Sequence, residues 1–153
     1  MRFIVSTLTL LKQLQAVSGA LSSSTVLPIL ENFLFEIKEG ILTISATDLQ
    51  TSMTTSLSVE AKENGRIAIP SRILLDTLKS LPEQPIAFSV DDKTFAIEIS
   101  AGDGKYKLSG ENGEDFPKIP AVENASSVNL PASVLAEAIN KTIFAQVCDL
   151  FPH

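Results

Sequence analysis

The sequence predicts an α+β fold in which two strand–helix–three-strand repeats pack their helices on antiparallel sheets. Three observations predict it. A short strand running into an amphipathic helix occurs three times, at residues 3–17, 67–83 and 128–143. The stretches between the first and third copies alternate apolar and polar residues with period two, as half-buried strands do. Turn residues punctuate those stretches at regular intervals. The central copy, IAIPSRILLDTLKSLPE, shows the unit most clearly. Ile67 and Ile69 end a strand, and Pro70, with a fixed φ and no N–H, suits a helix entrance. Ser71 is placed to cap, Ile73, Leu74, Leu75, Leu78 and Leu81 form an apolar stripe, and Pro82 stops the helix. Taking Val5, Ile69 and Leu130 as equivalent strand ends aligns Leu10, Leu74 and Leu135, at offsets of 64 and 61 residues. The same alignment brings Leu14, Leu78 and Ile139 together. A repeat of this length is one supersecondary unit.

Taken in order, residues 3–6 are a strand, and Ser6 or Thr7 caps a helix that reaches about residue 18, where Gly19 is its stop. Leu10, Leu11, Leu14 and Val17 form its buried stripe. Residues 21–26 are a polar loop, and Pro28 leads into a strand at 32–38 with Phe33, Phe35 and Ile37 on one side. Glu39-Gly40 makes a hairpin turn into a strand at 41–47 that Asp48 ends. A Thr- and Ser-rich strand follows at 50–60. After the central unit the pattern returns as strands at 85–91, 94–100 (Phe95, Ile97 and Ile99 inward) and 105–109 (Tyr106 and Leu108 on one side). Residues 110–125 lack periodicity and read as a linker or crossing segment. Two complete repeats, with about eight strands and two helices as a pseudo-twofold pair, make one domain at residues 1–125. The third unit begins a second, incomplete domain at 126–153.

A chain of 153 residues with 44% hydrophobic and 20% charged residues can hold a real core. No apolar run has the length of a membrane helix, and the N-terminus lacks a signal-peptide core. One cysteine, Cys148, excludes an internal disulfide framework and fits a reducing cytoplasm. The net charge of −6 argues against gripping nucleic acid by bulk charge but leaves room for a local basic face. The acids concentrate in the predicted strands and turns, whereas residues 5–30 contain one base, Lys12, and no acid. Arg72 and Lys79 lie two turns apart on one side of the central helix, and Asp76 between them is spaced for an i,i+4 pair with Arg72. Pattern alone reads these bases as the solvated face of amphipathic helices.

Catalytic readings find little support. His153 is the single histidine and is terminal, so a nucleophile–base–acid triad has no base. Asp48 and the Asp91-Asp92 pair are explained by turn chemistry without a metal. GDGK at 102–105 has neither the spacing nor the following helix of a phosphate loop. No cofactor is implied. The sequence therefore reads as a binding protein, and a bare sheet edge that recruits partner strands is one way it would bind.

The opening MRFIVS, LLKQLQAVSG at 10–19, LPIL at 27–30, GILTISATDL at 40–49, IPSRILLDTLKSLP at 69–82 and EDFP at 114–117 together resemble the N-terminal part of the bacterial sliding clamp, the β subunit of DNA polymerase III. The resemblance runs from Met1 to about Ala145 and rests on the order and spacing of the segments. It implies a DNA clamp fold and a non-catalytic DNA replication processivity factor. Clamps of this family carry three such domains per subunit and close head-to-tail into a dimer, with helices lining the hole and sheets outside. They tether DNA polymerase III to double-stranded DNA after a clamp loader places them. The resemblance assigns Lys12, Arg72 and Lys79 to the DNA-facing side and Tyr106 and Leu108 to the edge strand of a subunit interface. The loop at 22–25 carries only serine and threonine where relatives place a DNA-touching base. QVCDLFPH at 146–153 departs from the family's continuation, which implies a truncated or frame-shifted product, and the family's peptide-binding pocket falls beyond the chain.

Overall fold

A computed structural model describes residues 1–21 and 27–145; the loop at 22–25 and the tail with Cys148 and His153 lie outside the described residues. The chain divides into two compact units, Met1–Ile119 and Pro120–His153. The first unit contains strands β1 (Arg2–Ser6), β2 (Asn32–Lys38), β3 (Ile41–Thr47), β4 (Ser52–Ser58), β5 (Glu60–Ala61), β6 (Gly65–Pro70), β7 (Pro85–Val90), β8 (Ala96–Ala101), β9 (Gly104–Ser109) and β10 (Glu111–Asn112). Its helices are α1 (Thr7–Val17) and α2 (Ser71–Ser80). The strands form two antiparallel sheets, ordered β5-β1-β7-β8-β9 and β10-β6-β2-β3-β4.

The two repeats exchange their first strands. Val5 of β1 pairs with Ile86 of β7, and Ile69 of β6 pairs with Phe33 of β2, so equivalent residues meet in the same register. The short β5 and β10 then close back onto β1 and β6, the first strands of their own repeats. α1 packs on β4 and α2 on β9, again in equivalent places, and the helices touch each other. Period-two alternation puts Phe3, Phe88, Phe35 and Ile99 in one core with Leu10, Leu14, Leu74 and Leu78 from the helices. Phe3 stacks on Phe88 with ring centroids 4.7 Å apart, and Phe35 from the other sheet lies 6.3 Å from each. Burial of these side chains, at roughly 1.5–3 kcal/mol each, is the dominant favourable term.

Several local expectations change. Neither helix has a side-chain cap: Pro70, not Ser71, holds the N-cap position of α2, and Ser6 holds that of α1. Thr7 reaches away instead, and its hydroxyl and N–H both donate to the Gln84 carbonyl, which locks the start of α1 to the segment before β7. Gly19 does not adopt a left-handed φ, because residues 18–20 tighten into a 3₁₀ turn. Phe95 belongs to a turn rather than to a strand: its φ is +59°, its N–H donates to the Asp91 carbonyl, and β8 begins one residue later. Residues 110–116 are structured, with β10 and a 3₁₀ turn, because Phe116 buries itself on Leu34 and Ala68 across the outer face of the second sheet.

In the second unit, helix α3 (Ala132–Thr142) forms where the third repeat predicts it, and Lys141 bridges to Glu137 at 2.7 Å. Residues 128–130 do not form a strand. A strand requires a ladder partner for its backbone groups, and the described residues supply none there.

Candidate nucleic-acid interface

α1 and α2 each turn one stripe into the core and leave the opposite face to solvent. Leu10, Leu14 and Val17 are buried on α1, and Leu74 and Leu78 on α2. The repeat offset then matches the exposed positions: Leu8, Lys12 and Gln15 on α1 stand where Arg72, Asp76 and Lys79 stand on α2. All six are exposed, and within each set the residues are one turn apart on one face. Ile73, expected in the buried stripe, is 53% exposed on this side, and Leu8 is 39% exposed. The α2 stripe is thus narrower than the sequence suggests, because Leu75 and Leu81 only partly bury at its margins. Lys79 in the last turn of α2 also lies where the helix dipole favours a cation.

The expected ion pair between Arg72 and Asp76 does not form. Among the described residues no carboxylate lies within 4.0 Å of Lys12, Arg72 or Lys79, whereas Arg66 and Lys105 of the sheets and Lys141 of α3 are paired and Arg2, Lys38 and Lys107 of the sheets are not. Arg66, for example, reaches Glu36 at 3.9 Å and Glu114 at 3.8 Å on the outer side of a sheet. The cations of the helix face are therefore free to meet an external anion. Gln13, lower on α1, accepts a hydrogen bond from the Thr55 hydroxyl and ties the helix to β4.

Tyr106 and Leu108 lie on β9, which ends its sheet. Tyr106 is 36% exposed, whereas Leu108 is 9% exposed and packs in the core. A partner at this edge would meet the backbone of β9 and the side chain of Tyr106. The other sheet ends at β4, whose outer face carries paired hydroxyls that sequence reasoning did not single out: Thr43 with Ser56, Ser45 with Thr54 and Thr47 with Ser52. Their signal is the alternating Ser and Thr of residues 52–58 opposite those of 43–47.

Asp48 and Asp91 are turn residues. Asp48 accepts from the N–H groups of Thr51 and Gln50, and Asp91 from those of Thr94 and Lys93. These amides hold both carboxyls below the usual carboxylate range. Among the described residues no group of three or more His, Cys, Asp or Glu side chains could hold a metal ion. No helix of the described residues is long and apolar enough to cross a membrane.

Two adjacent helices laid over two antiparallel sheets and related by an internal pseudo-twofold are the architecture of a DNA clamp domain. Residues 1–120 match the family described as DNA polymerase III beta subunit, N-terminal domain, and the chain belongs to that family. It is 34% identical over 146 residues to the beta sliding clamp of Vibrio harveyi, covering 95% of this chain and 100% of that relative. It is 31% identical over 134 residues to the beta sliding clamp of Synechococcus elongatus, covering 86% of this chain and 36% of that relative. Among solved structures, a putative DNA polymerase III beta subunit from Eubacterium rectale matches with a TM-score of 0.87 and 31% identity over 94% of this chain and 39% of that one. The DNA polymerase III subunit beta of Pseudomonas aeruginosa matches with a TM-score of 0.85 and 31% identity, over the same shares. Apart from the Vibrio harveyi relative, the chain spans about 40% of the length of these proteins.

Proposed function

We propose that this chain acts as the first domain of a ring-shaped sliding clamp, a non-catalytic processivity factor that tethers DNA polymerase III to its template in the cytoplasm. Residues 126–153 would begin the central domain. In the whole ring the partners are double-stranded DNA, the polymerase, the clamp loader and a second subunit joined head-to-tail, with Tyr106 and the edge of β9 at that joint. The observation that carries this reading, beside family membership, is the clustering of the exposed cations Lys12, Arg72 and Lys79 on the solvent-facing side of α1 and α2, where among the described residues none has a carboxylate partner. Diffuse charge of this kind attracts phosphates without reading bases, which is what a protein that moves along DNA requires. Tethering raises the polymerase's local concentration without any new chemistry.

The test is charge reversal. The variant Lys12→Glu, Arg72→Glu, Lys79→Glu should lose the weak, salt-dependent binding of the chain to duplex DNA in a fluorescence titration. Binding that survives all three changes would overturn the reading. It would favour instead a β-rich interaction module that recruits partners through the open edge of β9.

A further inference from the structure

We infer that Asp76 is a built-in brake on the attraction between this helix face and DNA. The inference rests on the reading of that face as DNA-facing. Asp76 is exposed and lies one turn from both Arg72 and Lys79, yet among the described residues its side chain forms no ion pair and no hydrogen bond. It neither caps a helix nor supports a turn, unlike Asp48 and Asp91. Its equivalent across the pseudo-twofold is Lys12, so one helix carries a cation where the other carries a carboxylate. Residues one turn apart are about 5–6 Å from each other. The screening length is about 10 Å at 0.1 M salt. A phosphate drawn to Arg72 or Lys79 therefore also meets the unneutralised charge of Asp76. The effect is to keep non-specific affinity low at the centre of the α2 face while two cations still flank it. A protein that holds DNA too tightly moves along it slowly, so a carboxylate here serves mobility.

The experiment compares duplex-DNA binding of the whole chain with that of Asp76→Asn, Asp76→Lys, the triple reversal of Lys12, Arg72 and Lys79, and Glu60→Gln. Glu60 is exposed on β5, so its substitution makes the same change in net charge on a sheet. Asp76→Asn should raise affinity roughly threefold at low salt, Asp76→Lys more, and both gains should shrink as salt rises. Glu60→Gln should leave affinity unchanged. An equal gain from Glu60→Gln would reduce the effect to net charge and overturn the inference, as would no gain from Asp76→Asn. A lowered melting point for Asp76→Asn would assign the residue a structural role and also overturn it. If Asp76→Asn has no effect while the triple reversal still abolishes binding, the brake fails and the DNA-facing reading stands. If the triple reversal has no effect, both fail.

Discussion

Asp48 and Asp91 show how single residues shape this chain. Each sits at a turn and gathers two backbone N–H groups that would otherwise lack partners. The first of these turns also holds Leu49 at a φ of +74°, a conformation costly for a β-carbon-bearing residue, with its N–H donating to the Thr47 hydroxyl. Because the amides lower both carboxyl pKa values below the ordinary 3.8, the stability they supply is complete above that value. It is lost as the pH falls through the lowered values. Asn at both positions keeps an acceptor oxygen but does not titrate. Urea midpoints measured from about pH 6 to about pH 2 should therefore fall less steeply for the Asp48→Asn, Asp91→Asn variant than for the parent. Parallel curves would show that these turns do not govern acid sensitivity. At this scale the sequence was legible for both Asp turns, since Asp before short polar residues signals them. It was misleading at Phe95 and Ile73. An aromatic at strand spacing conceals a left-handed turn residue, and an isoleucine at helical spacing conceals a solvent-facing one, because periodicity gives no measure of how far a neighbouring sheet reaches.

The elements gain their stability from the exchange of β1 and β6 between repeats. Alternation indicated which face of each strand is dry, and that reading survives in Phe33, Phe35 and Ile37 and in Ile86, Phe88 and Val90. It could not indicate that β1 pairs with β7, since any dry face can be covered by any sheet of matching register. The helix offset of 64 and the return of the three-strand pattern after the central unit indicated symmetry, and the strand pairs obey it once the partners are known. The exchange concentrates cost at the aromatic contact between sheets. Phe88 is fully buried, stacks on Phe3 and lies near Phe35, so Phe88→Ala should lower unfolding free energy by about 3–5 kcal/mol in urea titration. Tyr106→Ala, at the partly exposed edge of the same sheet, should cost under about 1 kcal/mol. Equal losses at the two sites would contradict this placement of the core.

For the whole molecule, the exchange means that neither repeat can bury its own first strand, so the two repeats of the first unit should fold as one cooperative block. Its core is self-contained: every buried hydrophobic residue among those described lies between Met1 and Phe116. Phe116 closes the outer face of the β10-β6-β2-β3-β4 sheet only three residues before the unit ends at Ile119. In the second unit, by contrast, α3 buries no residue, and Leu135 and Ile139, the counterparts of buried Leu74 and Leu78, are 50% and 49% exposed. The same repeat pattern therefore has two outcomes, and the difference lies in whether strands among the described residues cover the helix. Sequence pattern reports the face a helix offers, while burial depends on what packs against it. Removal of residues 120–153 should accordingly leave the urea midpoint and the denaturant slope of the first unit nearly unchanged, within about 1 kcal/mol in unfolding free energy. Residues 1–119 unfolding at a midpoint lower by more than about 2 kcal/mol in equivalent stability would show that the first unit draws on the second. An unchanged midpoint with intact salt-dependent DNA binding would show that the block formed by the two exchanged repeats is sufficient for both folding and the cationic face it presents.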